Sequence, residues 1–74
     1  MTVEEFKEQM LDVLNREDEV ELDDNLDDIE EWDSLSYVAF LAMAADYTER
    51  TIRASEVRGA KTVRDLYELI QVGQ

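Results

Sequence analysis

The sequence predicts an all-α fold: a small bundle of three main helices plus one short helix, with a long acidic loop between the first and second helices. Three observations carry that expectation. Near both ends of the 74-residue chain, apolar residues recur at helical spacing, and each run is opened by a Thr with an acid three residues on. A third, strongly apolar stretch begins directly after Asp33, a good helix cap. The two-residue alternation of a half-buried strand is absent, and no segment repeats.

The first helix is expected from about Val3 to Leu14. Thr2 and Glu5 fit a capping box, in which each side chain satisfies a backbone donor of the other. Val3, Phe6, Met10, Val13 and Leu14 fall on one face and read as core. Glu4, Glu5 and Glu8 occupy the first turns and Arg16 the far end, as the helix dipole favours.

From Glu17 to Asp33, eleven of the seventeen residues are acids, and the apolar ones are Val20, Leu22, Leu26, Ile29 and Trp32. That spacing gives no useful helical stripe, and Asp and Asn favour turns through side-chain bonds to the backbone. A long ordered loop follows, pinned across the helices by its scattered apolar residues. Trp32 reads as a core or rim anchor.

The second helix is expected from Ser34 to about Thr48, with Asp33 as its N-cap. Leu35, Val38, Ala39, Ala42 and Ala45 can form one apolar stripe, which Tyr37, Phe40, Leu41 and Ala44 widen. A helix apolar around most of its circumference is expected to be the central one, buried on more than one side. Glu49 to Ile52 reads as a connection. Ala54 to Arg58 is expected to form one short helical turn stopped by Gly59. In the last helix Thr62 and Asp65 again resemble a capping box, and Val63, Leu66, Tyr67, Leu69 and Ile70 supply the buried face. Val72, Gly73 and Gln74 are expected to fray.

Length and composition bound the function. Residues 1–74 are expected to form one domain, and at this size only about 60% of the unfolded chain's surface is buried, which leaves no room for a deep catalytic cleft. The chain has no Cys and no His, so it supplies neither a thiol nor the commonest neutral-pH base. The longest apolar run, Tyr37 to Ala45, is nine residues, too short to cross a bilayer. Met1 to Glu5 lacks the basic start and apolar stretch of a signal peptide, and a cytoplasmic location is expected.

The net charge of −13 lies entirely before Ser34, where 15 acids face only Lys7 and Arg16; residues 34–74 hold five acids and five bases. Such a field repels nucleic acid and anionic lipid and attracts basic protein surfaces or cations. Asp23, Asn25, Asp27 and Glu31 match four positions of a calcium loop, but Asp28 stands where the turn needs Gly and Ser34 where the loop closes on Glu. No dedicated metal site is expected, only weak divalent binding that relieves carboxylate repulsion.

Ser34 is the remaining candidate. A hydroxyl at a helix N-terminus is well placed to carry a phosphate, because free backbone donors and the dipole stabilise its charge. For an isolated Asp-Ser-Leu tripeptide, a plain first-turn serine is the ordinary reading.

The tripeptide is not isolated. The opening amphipathic helix, the acidic loop, Glu31-Trp32-Asp33-Ser34-Leu35 and the later Thr62-Val63-Arg64-Asp65-Leu66 together resemble a free-standing acyl carrier protein over nearly the whole chain. The resemblance implies a non-catalytic carrier. A magnesium-dependent phosphopantetheinyl transferase would attach 4′-phosphopantetheine from coenzyme A to Ser34, flanked by Asp33 and Leu35, and acyl groups would ride on the arm's thiol as thioesters. Asp33 would both cap the helix and present a carboxylate to the transferase or its metal. Val38, Leu41 and Ala42 would line a cleft for part of an acyl chain. The partners implied are the transferase and acyl-loading and acyl-processing enzymes, acting on a monomer.

Fatty-acid carriers of that family place several acids after the serine, whereas Ser36 to Ala42 here carries no charge. This departure points to a specialised biosynthetic pathway or an aminoacyl or peptidyl carrier. A further alternative is a carrier-like interaction module that does not use the arm.

Overall fold

A computed structural model of the chain describes residues 2–48 and 51–72. Four helices follow in order: α1 (Val3–Leu14), α2 (Ser34–Ala45), α3 (Ala54–Gly59) and α4 (Val63–Val72), with one 3₁₀ turn at Leu26–Asp28 inside the acidic loop. The all-α bundle of three main helices and one short helix is therefore observed. No strand forms among the described residues; a lone bridge joins Asn25 to Thr62.

Helix α1 starts as its sequence dictates, with both arms of the Thr2–Glu5 capping box made. It ends on Asn15 in the left-handed region, at φ 54°. This geometry lets the Asn15 and Arg16 N–H groups donate to Asp12 O and Leu11 O, so that two carbonyls at the helix end are satisfied. Helix α4 opens with the second capping box: Asp65 N–H donates to Thr62 Oγ1 at 3.3 Å, and Thr62 N–H to Asp65 Oδ2 at 3.2 Å.

The core is one cluster built around Phe6, Met10, Phe40, Leu66 and Ile70, all fully buried. Phe6 meets Phe40 and Tyr67 edge-on, at ring-centroid distances of 6.5 and 5.1 Å. Val20, Leu26 and Ile29 from the acidic loop enter the same cluster, with Leu22 and Trp32 packed against it. The loop is thus pinned, as its apolar spacing predicts.

Backbone contacts hold the loop as well. Leu22 O and Asp24 O accept from the N–H groups of Arg64 and Val63, at 2.8 and 3.1 Å, and Leu26 N–H donates to Lys61 O at 2.8 Å. Orphan donors in the first turn of α4 are therefore satisfied by loop carbonyls. Three ion pairs add to this clasp: Lys7–Glu21, Arg16–Glu31 and Arg64–Asp23, at 3.3, 3.7 and 2.7 Å. Both bases of the acidic half hold its own loop in place.

The structure corrects four expectations. Helix α2 ends at Ala45 rather than about Thr48, because Asp46 and Tyr47 N–H donate to Met43 and Ala44 carbonyls in a tightened 3₁₀-like turn that carries Thr48 back into the core. Gly59 is the last residue of α3 and has no positive φ, so the helix stops without a left-handed glycine. Helix α4 continues through Val72, where fraying was expected; Gly73 and Gln74, and Glu49 and Arg50 of the connection, lie outside the described residues.

The fourth correction concerns how α2 faces. Ser36, Phe40, Met43 and Ala44 are buried, whereas Leu35 and Val38 are 79% and 66% exposed and Ala42 and Ala45 also face solvent. The helix is apolar on both sides but buried on one. At 100° per residue, the buried set lies opposite Leu35, Val38, Ala42 and Ala45.

Candidate functional site

Ser34 is the first residue of α2, and its side chain is exposed. Asp33, in extended backbone, caps the helix: its Oδ1 accepts from Ser36 N–H at 3.0 Å and lies 3.3 Å from Ser36 Oγ. Ser36 Oγ donates its one proton to Glu31 O at 2.5 Å. Asp33 O accepts from Tyr37 N–H at 3.0 Å, the first bond of the helix. These contacts assign the first-turn donors. Among the described residues, the N–H groups of Ser34 and Leu35 and the Ser34 hydroxyl have no protein acceptor.

The residues before the serine are braced from behind. Trp32 meets Tyr37 at a tilt of 60°, ring centroids 4.9 Å apart, and meets Phe40 edge-on at 6.3 Å. The Trp32 backbone N–H donates to Ile29 O, and Ile29 is buried. Glu31 is tied at its carbonyl by Ser36 and at its carboxylate by Arg16. Ser34 therefore projects from a backbone held on both sides.

Of the residues singled out in sequence, Asp33, Ser34 and Leu35 come together here. The expected cleft does not: Val38 and Ala42 are open to solvent, whereas Leu41 is half-buried against the core. In helical phase Ser34 and Val38 share the outer face, one turn apart. Among the described residues, no three carboxylates converge as metal ligands would. Asp23 of the calcium-like pattern is instead paired with Arg64.

Ser36 was missed in sequence. It is 5% exposed and supplies the polar lock between loop and helix. Its place three residues after the cap was the available signal, because a side chain there can reach back to the N-cap residue.

A braced, exposed hydroxyl at a capped helix start, with unpaired N–H groups beside it, is a handle for a covalently attached anionic group. A family model described as "Phosphopantetheine attachment site" matches residues 4–70, and the chain belongs to that family. Members are non-catalytic carriers with covalently attached 4′-phosphopantetheine, served by phosphopantetheinyl transferases and acyl-handling enzymes. No curated protein and no solved structure gives a significant match. No helix among the described residues is long and apolar enough to cross a membrane.

The residues present fit that group. An exposed Ser34 oxygen can become a phosphodiester without breaking any hydrogen bond of the fold, and the Ser34 and Leu35 N–H groups lie where the phosphate's charge is favoured.

Proposed function

We propose that Ser34 carries the 4′-phosphopantetheine arm and that the chain acts as one domain, shuttling acyl intermediates for a specialised biosynthetic pathway. The observation that carries this reading is the exposed, unbonded Ser34 hydroxyl directly after a capping Asp33. In the loading step the Ser34 oxygen forms a new P–O bond, the pyrophosphate of coenzyme A is cleaved, and the adenine nucleotide leaves. The transferase takes the hydroxyl proton. Asp33 spends Oδ1 on Ser36, which leaves Oδ2 for the transferase's magnesium or a basic side chain. The arm supplies a thiol on which the cargo is held as a thioester.

The exposed strip of Leu35, Val38 and Ala42 supports a partner surface that is apolar around the serine, with long-range steering from the acidic half. That pattern favours a specialised acyl carrier, or an aminoacyl or peptidyl carrier, over a fatty-acid carrier recognised through acids after the serine. The test is incubation with coenzyme A, magnesium and a broad-specificity transferase, read by intact mass. One phosphopantetheinyl group is expected on the wild type and none on Ser34→Ala. Equal modification of the two proteins, or none with several transferases, would overturn the assignment.

A further inference from the structure

Beside Ser34, an open groove of about 430 Å³ runs between the end of α1 and the start of α2. This volume is in the range of small-molecule sites, about 300–1,000 Å³. Val13, Leu35 and Ala39 form its apolar wall, and Asn15, Glu31 and Asp33 its polar rim. Asp33 and Leu35, the two neighbours of Ser34 in sequence, are both in this lining.

We propose that this groove is the resting site of the carrier's own arm, and that it holds the pantetheine portion rather than the phosphate or the cargo. The inference rests on Ser34 as the attachment residue. Three features select the occupant. The rim carries carboxylates, which accept from amide N–H groups and repel anions, so it suits the neutral two-amide section of the arm and not its phosphate. The wall is small and open, which suits the branched carbon of pantetheine better than a long acyl chain needing enclosure. The tether supplies the rest. A short flexible linker gives an effective concentration of about a millimolar, so even a millimolar intrinsic affinity keeps the groove roughly half occupied. Leu35, the residue after Ser34, is exposed and itself part of the wall, so the groove begins beside the attachment point.

Asn15 has a specific part. It is the only described non-glycine residue with positive φ, and that turn places it at the groove's rim, where its side-chain amide can both donate and accept. Its ordinary role as a left-handed helix stop would be filled equally well by glycine, so the two roles are separable.

The test is amide NMR of the full-length protein before and after loading, with intact mass recorded first. Loading should shift the amides of Val13, Asn15 and Ala39 more than those of Val38 and Ala42. Asn15→Gly, which keeps the helix stop, should at least halve the Val13 and Ala39 shifts. If mass shows one arm but the shifts stay within residues 33–38, or fall on the α3 side, the groove assignment is overturned while attachment stands. If mass shows no arm on Ser34, both readings fall.

Discussion

Asp33 Oδ1 accepts from the Ser36 N–H at 3.0 Å, and the Ser36 hydroxyl, 3.3 Å from the same oxygen, donates its one proton to Glu31 O. This pairing fixes the helix start and leaves the second carboxylate oxygen for other work, and the two roles come apart by mutation. Asp33→Asn keeps a capping oxygen and should cost only a few tenths of a kcal/mol, whereas Asp33→Ala should cost about 0.5–2 kcal/mol. Both should load slowly if the carboxylate's charge serves the transferase. Urea unfolding and a loading time course separate the effects.

Ser36→Ala should lower stability by about 0.5–1.5 kcal/mol, because the hydrogen bond from buried Ser36 to Glu31 O is lost. Ser34 should still be loaded, at a reduced rate. Full-rate loading of this variant would show that bracing by Ser36 is irrelevant to the transferase.

Ser34→Ala tests the opposite expectation. Its side chain is exposed and makes no hydrogen bond, so stability should stay within about 0.5 kcal/mol of wild type while loading vanishes. A large loss of stability would give Ser34 a structural role.

Phe6 touches both Phe40 and Tyr67 at the centre of the core. Phe6→Ala should cost about 3–5 kcal/mol. That is a large share of the whole stability of a chain this size, at roughly 0.05–0.15 kcal/mol per residue, and the urea midpoint should fall steeply.

Backbone N–H donation from Lys61, and then from Thr62, holds the Asp65 carboxyl below its usual value of 3.8. The folded state therefore favours the charged form. This contribution is complete above the unfolded pKa, about 3.9, and is lost as pH falls through the lowered folded value. Asp65→Ala should be less stable than wild type at pH 7 and pH 5 by the same margin, and the gap should narrow at pH 3. Urea midpoints at the three values check the sign.

The acidic loop makes a separate prediction. Asp23 is held by Arg64 and no three-carboxylate cluster is formed among the described residues, so cations should act by screening. Sodium chloride should raise the melting temperature, and magnesium at matched ionic strength should add little. A large magnesium-specific rise would reveal a dedicated site.

What the sequence made legible was local. Thr2 with Glu5, Asp33 with α2, and Thr62 with Asp65 are three-residue relationships, and each is found at a helix start. The inward face of α2 was illegible because Leu35, Val38, Ala42 and Ala45 are as apolar as the residues opposite them; burial was decided by which side α1 and the loop cover. The crossing from Leu22 and Asp24 to α4 was illegible for another reason. It uses backbone carbonyls, which leave no mark on residue type. Asp33, Ser34 and Leu35 were candidates in the sequence and lie together at the start of α2, whereas Ser36 and the groove at Asn15 needed coordinates.

The clasp between the acidic loop and α4 also sets an order of assembly. Val63 and Arg64 meet loop carbonyls about forty positions earlier in the chain, contacts that are slow to form because a long segment must close first. During synthesis, α1 and α2 can be complete while Leu22 to Leu26 still lacks its partners. The platform around Ser34 is finished only when α4 emerges, so a transferase that reads the whole platform would discriminate a chain that includes α4 from one that stops before it.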